Sequence, residues 1–140
     1  VLDIVIEGTV LNHCVHTCDY YFERIQKDES YLFFLRRSCQ LDVPWYTLEV
    51  EPSGNIRQKR TTGDNQNADF QKAIKFLEKW QQYFRKQLTE EEKQLGEKAN
   101  KLRIENYANL RKNGNKIWHG KLAGQLLADV LEQDFMEATV

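Results

Sequence analysis

Two histidines and two cysteines lie within eight residues near the start of the chain, in the stretch LNHCVHTC from Leu11 to Cys18. These side chains are the ones that bind zinc or that form a nucleophile with its base. A zinc site would need a second pair of ligands further along, and the remaining cysteine and histidine, Cys39 and His119, stand apart from each other. We therefore assign no metal ligand and no cofactor.

A catalytic role for this stretch would centre on Cys14. At the first turn of a helix the backbone N–H groups favour a thiolate, and His13 or His119 could act as the base. The alternative is that Cys14 is a half-buried packing residue, because cysteine is among the residue types most often buried. The residues leave both open, with His13 and Cys14 as candidate catalytic residues.

A second candidate cluster lies in the middle of the chain, around the predicted strand Trp45 to Glu51. Side chains alternate along a strand, so Thr47 and Glu49 share the face opposite the apolar residues. Arginines on neighbouring strands would surround this carboxylate and donate charge-assisted hydrogen bonds. In an enzyme, Glu49 would be the general base or substrate anchor and Arg36 the clamp for an oxyanion or phosphate. The alternative is a solvated face with weak cross-strand ion pairs.

The third candidate is the segment IRQKRTTGDNQ from Ile56 to Gln66. Basic residues followed by a polar loop suit contacts with a phosphate backbone. If Leu48 and Val50 face the core, pairing with Ile56 places Gln58 and Arg60 on that same side, where polar groups need partners. The candidate nucleic-acid-binding residues are Arg57, Gln58, Lys59, Arg60 and Asn65.

Apolar periodicity predicts the elements that position these residues. The pattern favours a short strand over 2–6, a helix from Asn12, three strands joined by tight turns within 31–61, and helices beginning near Phe70, at Thr89 and near Leu122. Thr89 to Glu92 has the form of a capping box. The predicted fold is α+β: a three-stranded antiparallel meander, with or without an extra N-terminal strand, packed with an N-terminal helix and three C-terminal helices.

Length and charge set the wider limits. We expect one domain over 1–140, with a core at 8–88 and a helical C-terminal extension at 89–140. The chain begins with Val, and a C-terminal part of a longer protein is one interpretation. Residues 1–50 carry four basic and eight acidic side chains, a sum of −4, whereas residues 51–112 carry fourteen and nine, a sum of +5. Contact with nucleic acid would therefore come from the middle of the chain.

An odd number of cysteines, three, favours a cytoplasmic protein. The longest apolar run is Tyr31 to Leu35, so we expect no membrane span.

Several blocks together resemble the PcfJ-like family. They are G-x-x-L-x-H-C-V, F-L-R, Y-T-L-E-V, G-x-I-R-Q-K-R-T and F-L-x-K-W, in this order from Gly8 to Trp80. Two positions depart from the family pattern: Asn12 stands where a second histidine is common, and Cys18 where a serine or tyrosine is more usual. The characteristic positions of that family fall here on His13, Cys14, Arg36, Thr47, Glu49, Gln58 and Arg60.

The resemblance implies a protein encoded on bacterial mobile elements and associated with the complex that prepares DNA for conjugative transfer. On that basis we expect an accessory protein that contacts DNA or relaxosome-type proteins through the basic hairpin. An enzyme with a His/Cys/Arg/Glu cleft and a protein-interaction domain built on the charged helix after Thr89 are the alternatives. The oligomeric state is not determined by the sequence.

Overall fold

The computed structural model describes residues 2–11, 19–61, 67–118 and 120–139. Within these ranges the elements are α1 (Leu2–Leu11), α2 (Asp19–Gln26), β1 (Tyr31–Leu35), β2 (Tyr46–Val50), β3 (Ile56–Arg60), a short 3₁₀ helix (Ala68–Phe70), α3 (Gln71–Lys86), α4 (Glu90–Lys112) and α5 (Leu127–Asp134). The prediction of an α+β fold is confirmed. None of the helices in the described ranges combines the length and the apolar character needed to cross a bilayer.

The three strands form an antiparallel sheet in the order β1-β2-β3, which confirms the predicted meander. The segment after α5 runs along the free edge of β3 and adds a single bridge to it. There the Ile56 amide donates to the Met136 carbonyl at 2.9 Å, and the Met136 amide donates back at 2.8 Å. The C-terminal segment therefore covers one edge of the sheet, while β1 forms the other edge.

The apolar core lies between one face of the sheet and α3. Buried residues recur along α3 at intervals of four, which places them on one face of the helix. The core consists of Leu35, Tyr46, Leu48, Val50 and Ile56 from the sheet with Phe70, Ala73 and Leu77 from the helical side. This confirms that Tyr46, Leu48 and Val50 share a face of β2.

The predicted strand over residues 2–6 is wrong, because the chain forms α1 there. The β-branched residues favour a strand only weakly, and tertiary contacts override that preference. In a helix, Glu7, Gly8 and Leu11 come onto one face, and all three are buried. A strand would instead place Gly8 on the face opposite Glu7 and Leu11. The helix buries the Glu7 carboxylate against Arg36.

The predicted facing of Gln58 and Arg60 toward the apolar core is also wrong. Pairing runs from Val50 with Ile56 to Glu49 with Gln58, so the register shifts by one residue at this point. Such a bulge places one extra residue, Arg57, in β3 and reverses the alternation beyond it. Gln58 therefore lies on the same face as Glu49.

The predicted starts of the later helices are confirmed for α4 and corrected for α5. The Thr89 hydroxyl accepts a hydrogen bond from the Glu92 amide at 3.2 Å, and the helix ends at Asn113. Gly114 follows with a φ of +64°, the left-handed conformation that commonly terminates a helix. α5 begins at Leu127 rather than near Leu122, because turns occupy residues 120–124 and Gly124 has a φ of +88°.

α4 approaches the β2–β3 turn closely at Gly96. A Cβ at this position would lie 3.0 Å from the Ser53 Cβ and 3.2 Å from the Ser53 backbone nitrogen. The hydrogen atom of glycine therefore sets the distance at which α4 rests on the sheet.

We predict that Gly96→Val lowers the free energy of unfolding by about 1–3 kcal/mol, because the new side chain would push α4 away from the turn. The matched control is Glu97→Val at the next, exposed position, which loses only helix propensity, below about 0.7 kcal/mol. Urea denaturation of both variants measures the difference. Equal losses would contradict the close approach.

Candidate functional site

The structure describes seven of the ten candidate residues. His13, Cys14 and Asn65 lie outside the described residues, as do His16, Cys18 and His119. The seven that are described belong to the sheet or directly follow β1: Arg36, Thr47, Glu49, Arg57, Gln58, Lys59 and Arg60. Their surroundings decide which chemistry each of them can perform.

Glu49 is 2% exposed and lies on the polar face of the sheet, opposite the apolar core. Arg24 of α2 donates to both carboxylate oxygens, at 2.7 and 3.0 Å. The Ser30 hydroxyl adds a hydrogen bond at 3.0 Å and the Gln58 amide one at 3.2 Å. Both oxygens of Glu49 are therefore occupied by donors from α2, the loop after it and β3.

Glu51 continues the same face two residues further on and has no exposed surface. Its carboxylate accepts from Arg57 Nε at 2.6 Å and from the Asn55 amide at 3.2 Å. Arg103 of α4 also donates to it. The buried carboxylate of Glu51 thus links the sheet to α4.

Arg57, the extra residue of the bulge, connects these groups. In addition to Glu51, its guanidinium lies 3.0 Å from Glu29 and 3.6 Å from Glu49. It also donates to the Ala99 carbonyl of α4 at 3.1 Å. We call the set of Arg24, Glu29, Glu49, Glu51, Arg57 and Arg103 the carboxylate–arginine network.

The charges of the carboxylate–arginine network cancel, since it holds three acids and three arginines. Burial alone would lower the pKa of Arg57, but the carboxylates of Glu51 and Glu49 outweigh this effect and raise it. Burial also raises the pKa of the Tyr107 phenol to about 12, against the opposing effect of the Arg103 charge. Arg57 remains a cation and Tyr107 a neutral phenol at physiological pH.

Arg36 and Thr47 belong to a separate contact with α1. Arg36 donates to Glu7 through Nη1 at 2.8 Å, and Glu7 is 1% exposed. The Thr47 hydroxyl donates to the same carboxylate at 3.4 Å. The structure therefore brings Arg36 to Glu7, whereas Glu49 is held by Arg24.

Lys59 and Arg60 are held by Asp134, at the end of α5. The backbone amide of Lys59 donates to the Asp134 carboxylate at 3.1 Å, and its ammonium donates to the Asp134 carbonyl at 2.8 Å. Arg60 donates to the same carboxylate. Burial lowers the pKa of Lys59, and Asp134 opposes this shift. These two cations of the hairpin anchor α5 to the sheet.

A further carboxylate joins the start of β2 to the 3₁₀ helix that precedes α3. Asp69 accepts hydrogen bonds from the Trp45 indole at 3.0 Å, the Tyr46 hydroxyl at 3.1 Å and Arg37 at 2.9 Å. Burial tends to raise the pKa of Asp69, but the two hydrogen bonds and the Arg37 charge together lower it.

Chemically, the carboxylate–arginine network holds helices onto the sheet. Its acids accept from several fixed donors, and its cations are neutralised, so in this conformation the described groups are arranged for cohesion rather than for proton transfer. Sequence reasoning missed four members of this network, Arg24, Glu29, Glu51 and Arg103. It also missed Glu7 and Asp134, the partners of Arg36 and Arg60. Glu51 follows Glu49 by two residues, the spacing that keeps side chains on one face of a strand. Arg103 follows Ala99 by four residues, the spacing that keeps side chains on one face of a helix. These spacings could have identified both residues.

Fold and site thus define an α+β protein whose sheet carries an apolar core on one face and a buried ionic network on the other. A family model described as PcfJ-like protein matches residues 1–76, just over half of the chain. The chain therefore belongs to the PcfJ-like family. No curated protein and no solved structure matched it.

We predict that Glu51→Gln destabilises the protein by about 3–5 kcal/mol, because the substitution leaves buried arginine charge without its carboxylate. The control is Glu90→Gln, since the Glu90 carboxylate at the exposed start of α4 pairs with Lys93 in solvent. That substitution should change stability by no more than about 0.5 kcal/mol. Chemical denaturation measures both, and similar values for the two variants would show that the carboxylate–arginine network does not hold the fold together.

The lowered pKa of Asp69 predicts a pH dependence. The unfolded chain binds a proton at Asp69 more readily than the folded one, so this carboxylate stabilises the fold above its ordinary pKa of 3.8. That contribution is lost as the pH falls through the lower folded pKa. The stability difference between wild type and Asp69→Asn should therefore be constant above about pH 5 and shrink toward about pH 2.

The control for this experiment is Asp42→Asn, in an exposed turn. This substitution should change stability by no more than about 0.5 kcal/mol, as is usual for exposed positions. A constant difference for Asp69→Asn down to acid pH would contradict the assigned bonds.

Proposed function

We propose that this PcfJ-like protein is an accessory protein of DNA transfer by mobile genetic elements and that it binds nucleic acid directly. Membership of the PcfJ-like family supports the association with mobile elements, because the resemblance to this family implies a protein encoded on such elements. The observation that carries direct binding is the positive charge that remains on the surface after the buried ion pairs are taken into account.

The surplus of positive charge in residues 51–112 is concentrated on α3. Arg57 and Arg103 in this range are neutralised inside the carboxylate–arginine network. α3 carries five basic residues and one acidic residue, a net charge of +4 within 16 residues. A local surplus of this kind attracts the phosphate backbone even though the whole chain has a charge of −1.

The proposed contact therefore lies on α3 and away from the basic hairpin. Arg57 is 4% exposed and Lys59 is 7% exposed, so neither can meet a phosphate while it keeps its carboxylate partner. Arg60 is partly exposed and pairs with Asp134. Exposed lysines form phosphate contacts without breaking buried ion pairs.

The two alternative functions stay predictions. The enzyme hypothesis depends on His13 and Cys14, which lie outside the described residues, and the occupied oxygens of Glu49 do not favour it. The interaction hypothesis relied on the apolar stripe of α4, but Ala99 is buried and its carbonyl accepts from Arg57. Relaxosome-type partners likewise remain a prediction.

Fluorescence anisotropy with labelled DNA, in single-stranded and duplex form, tests the proposal. We expect binding whose affinity falls steeply between about 50 and 200 mM salt, because each phosphate contact releases counterions. A denaturing gel of the endpoints should show intact strands, and cleavage would favour an enzyme. Absence of binding at about 50 mM salt, or an affinity that does not change with salt concentration, would refute direct binding through phosphate contacts.

A further inference from the structure

We propose that α3 and the edge strand β1 form a binding surface for single-stranded nucleic acid. In this arrangement, lysines of α3 contact the phosphates and an aromatic cleft beside them accepts an unpaired base. The inference rests on the proposed function, to which it adds the surface and the strandedness of the ligand.

The lysines of α3 lie on one face. At 3.6 residues per turn, Lys72, Lys75, Lys79 and Lys86 fall within about 60° of one another around the helix axis. All four are exposed. From the first to the last of them the helix spans about 21 Å, long enough for several phosphates of one strand.

Two exposed aromatic residues lie among these lysines. Phe76 is 60% exposed and Tyr83 is 66% exposed, which is unusual for large side chains on the outside of a helix. Phe76 follows Lys72 by four residues and precedes Lys79 by three, so it has a lysine as neighbour on both sides. Alternation of cations and aromatic rings is the arrangement that binds a single strand, since phosphates and bases alternate along it.

An aromatic cleft of about 230 Å³ opens beside Phe76, between α3 and β1. Phe33, Phe34 and Trp80 line it together with Phe76, while Leu48 and Leu77 form its apolar floor. The rings of Phe33 and Trp80 meet edge to face, with centroids 5.5 Å apart. The volume is below that of pockets for drug-sized ligands, which begin at about 300 Å³, and therefore suits a single planar ring system.

The chemistry of this surface favours a single strand over a duplex. The faces of paired bases are stacked on one another, so rings on the protein can stack only on unpaired bases. A duplex would engage the lysines and leave the aromatic cleft empty.

It also favours nucleic acid over a membrane surface. A helix that lies in a membrane inserts an apolar face. The apolar face of α3, with Ala73 and Leu77, is already buried against the sheet. The exposed face offers two aromatic rings among four lysines, which is too polar to enter the acyl region.

Two variants separate the two kinds of contact, measured with a labelled oligo-dT strand and its duplex with oligo-dA. Lys75→Gln/Lys79→Gln should reduce the slope of log affinity against log salt by about 1.4, that is about 0.7 for each phosphate that the variant no longer neutralises. Phe76→Ala should weaken single-strand binding by about 5- to 100-fold and leave the slope unchanged. Both changes are at exposed positions, and circular dichroism melting should match wild type.

The matched controls are Lys98→Gln/Lys101→Gln on the exposed side of α4, and Leu41→Ala in an exposed turn. Both should bind like wild type. If wild type binds and the α3 variants equal these controls, the surface is refuted while the proposed function stands. If wild type binds no nucleic acid, the proposed function itself fails. Equal affinity for strand and duplex, without an effect of Phe76→Ala, refutes base stacking.

Binding to anionic vesicles of phosphatidylglycerol and phosphatidylcholine tests whether a membrane surface occupies this site instead of nucleic acid. We expect weak binding that does not depend on Phe76. Tight vesicle binding that disappears in Phe76→Ala, without oligonucleotide binding, would refute the proposal in favour of a membrane surface.

Discussion

The fold depends on the compensation of buried carboxylates by arginines that come from other parts of the chain. Glu49 lies on the central strand β2 and Glu51 directly follows it. Both are almost completely removed from water, which is very costly for an unpaired charge. Arg24 from α2, Arg57 from β3 and Arg103 from α4 supply the opposite charges. Because Arg24 and Arg103 belong to different helices, α2 and α4 can take only those positions in which both arginines reach the sheet. Charge compensation therefore fixes the packing on this face, as the apolar core does on the other.

The two faces of the sheet leave different surfaces to the solvent. On the apolar side, α3 buries Ala73 and Leu77 and turns its lysines outward, so positive charge and exposed rings are displayed on a rigid helix. On the ionic side, arginines are turned inward and neutralised. A count of basic residues along the sequence does not distinguish the two situations. An anion can bind to the exposed cations, but not to those that buried carboxylates already neutralise.

The same distinction bears on the positions that the resemblance to the PcfJ-like family marks as characteristic. Arg36 and Thr47 contact Glu7 of α1, Glu49 contacts Arg24 of α2, and Arg60 contacts Asp134 of α5. Gln58 donates to Glu49 within the sheet. Characteristic polar residues in a family are often attributed to catalysis, but a buried ionic network requires equally specific residue types, because a carboxylate needs its guanidinium at a fixed distance. For these positions the structure shows contacts that hold elements of the fold in place.

The sequence by itself determined the α+β class, the antiparallel meander, the face on which Tyr46, Leu48 and Val50 lie, and the capped start of α4. All of these follow from periodicity and turn chemistry, which are local. Tertiary structure decided the rest. Local preference favoured a strand over residues 2–6, but this segment forms a helix that buries Glu7. Simple alternation along β3 predicted Gln58 on the apolar face, but the bulge at Arg57 places it on the opposite face. The partners Arg24, Arg103 and Asp134 lie 25, 52 and 74 residues from Glu49, Glu51 and Arg60. No local pattern encodes such pairs, because only the folded chain brings these charges together.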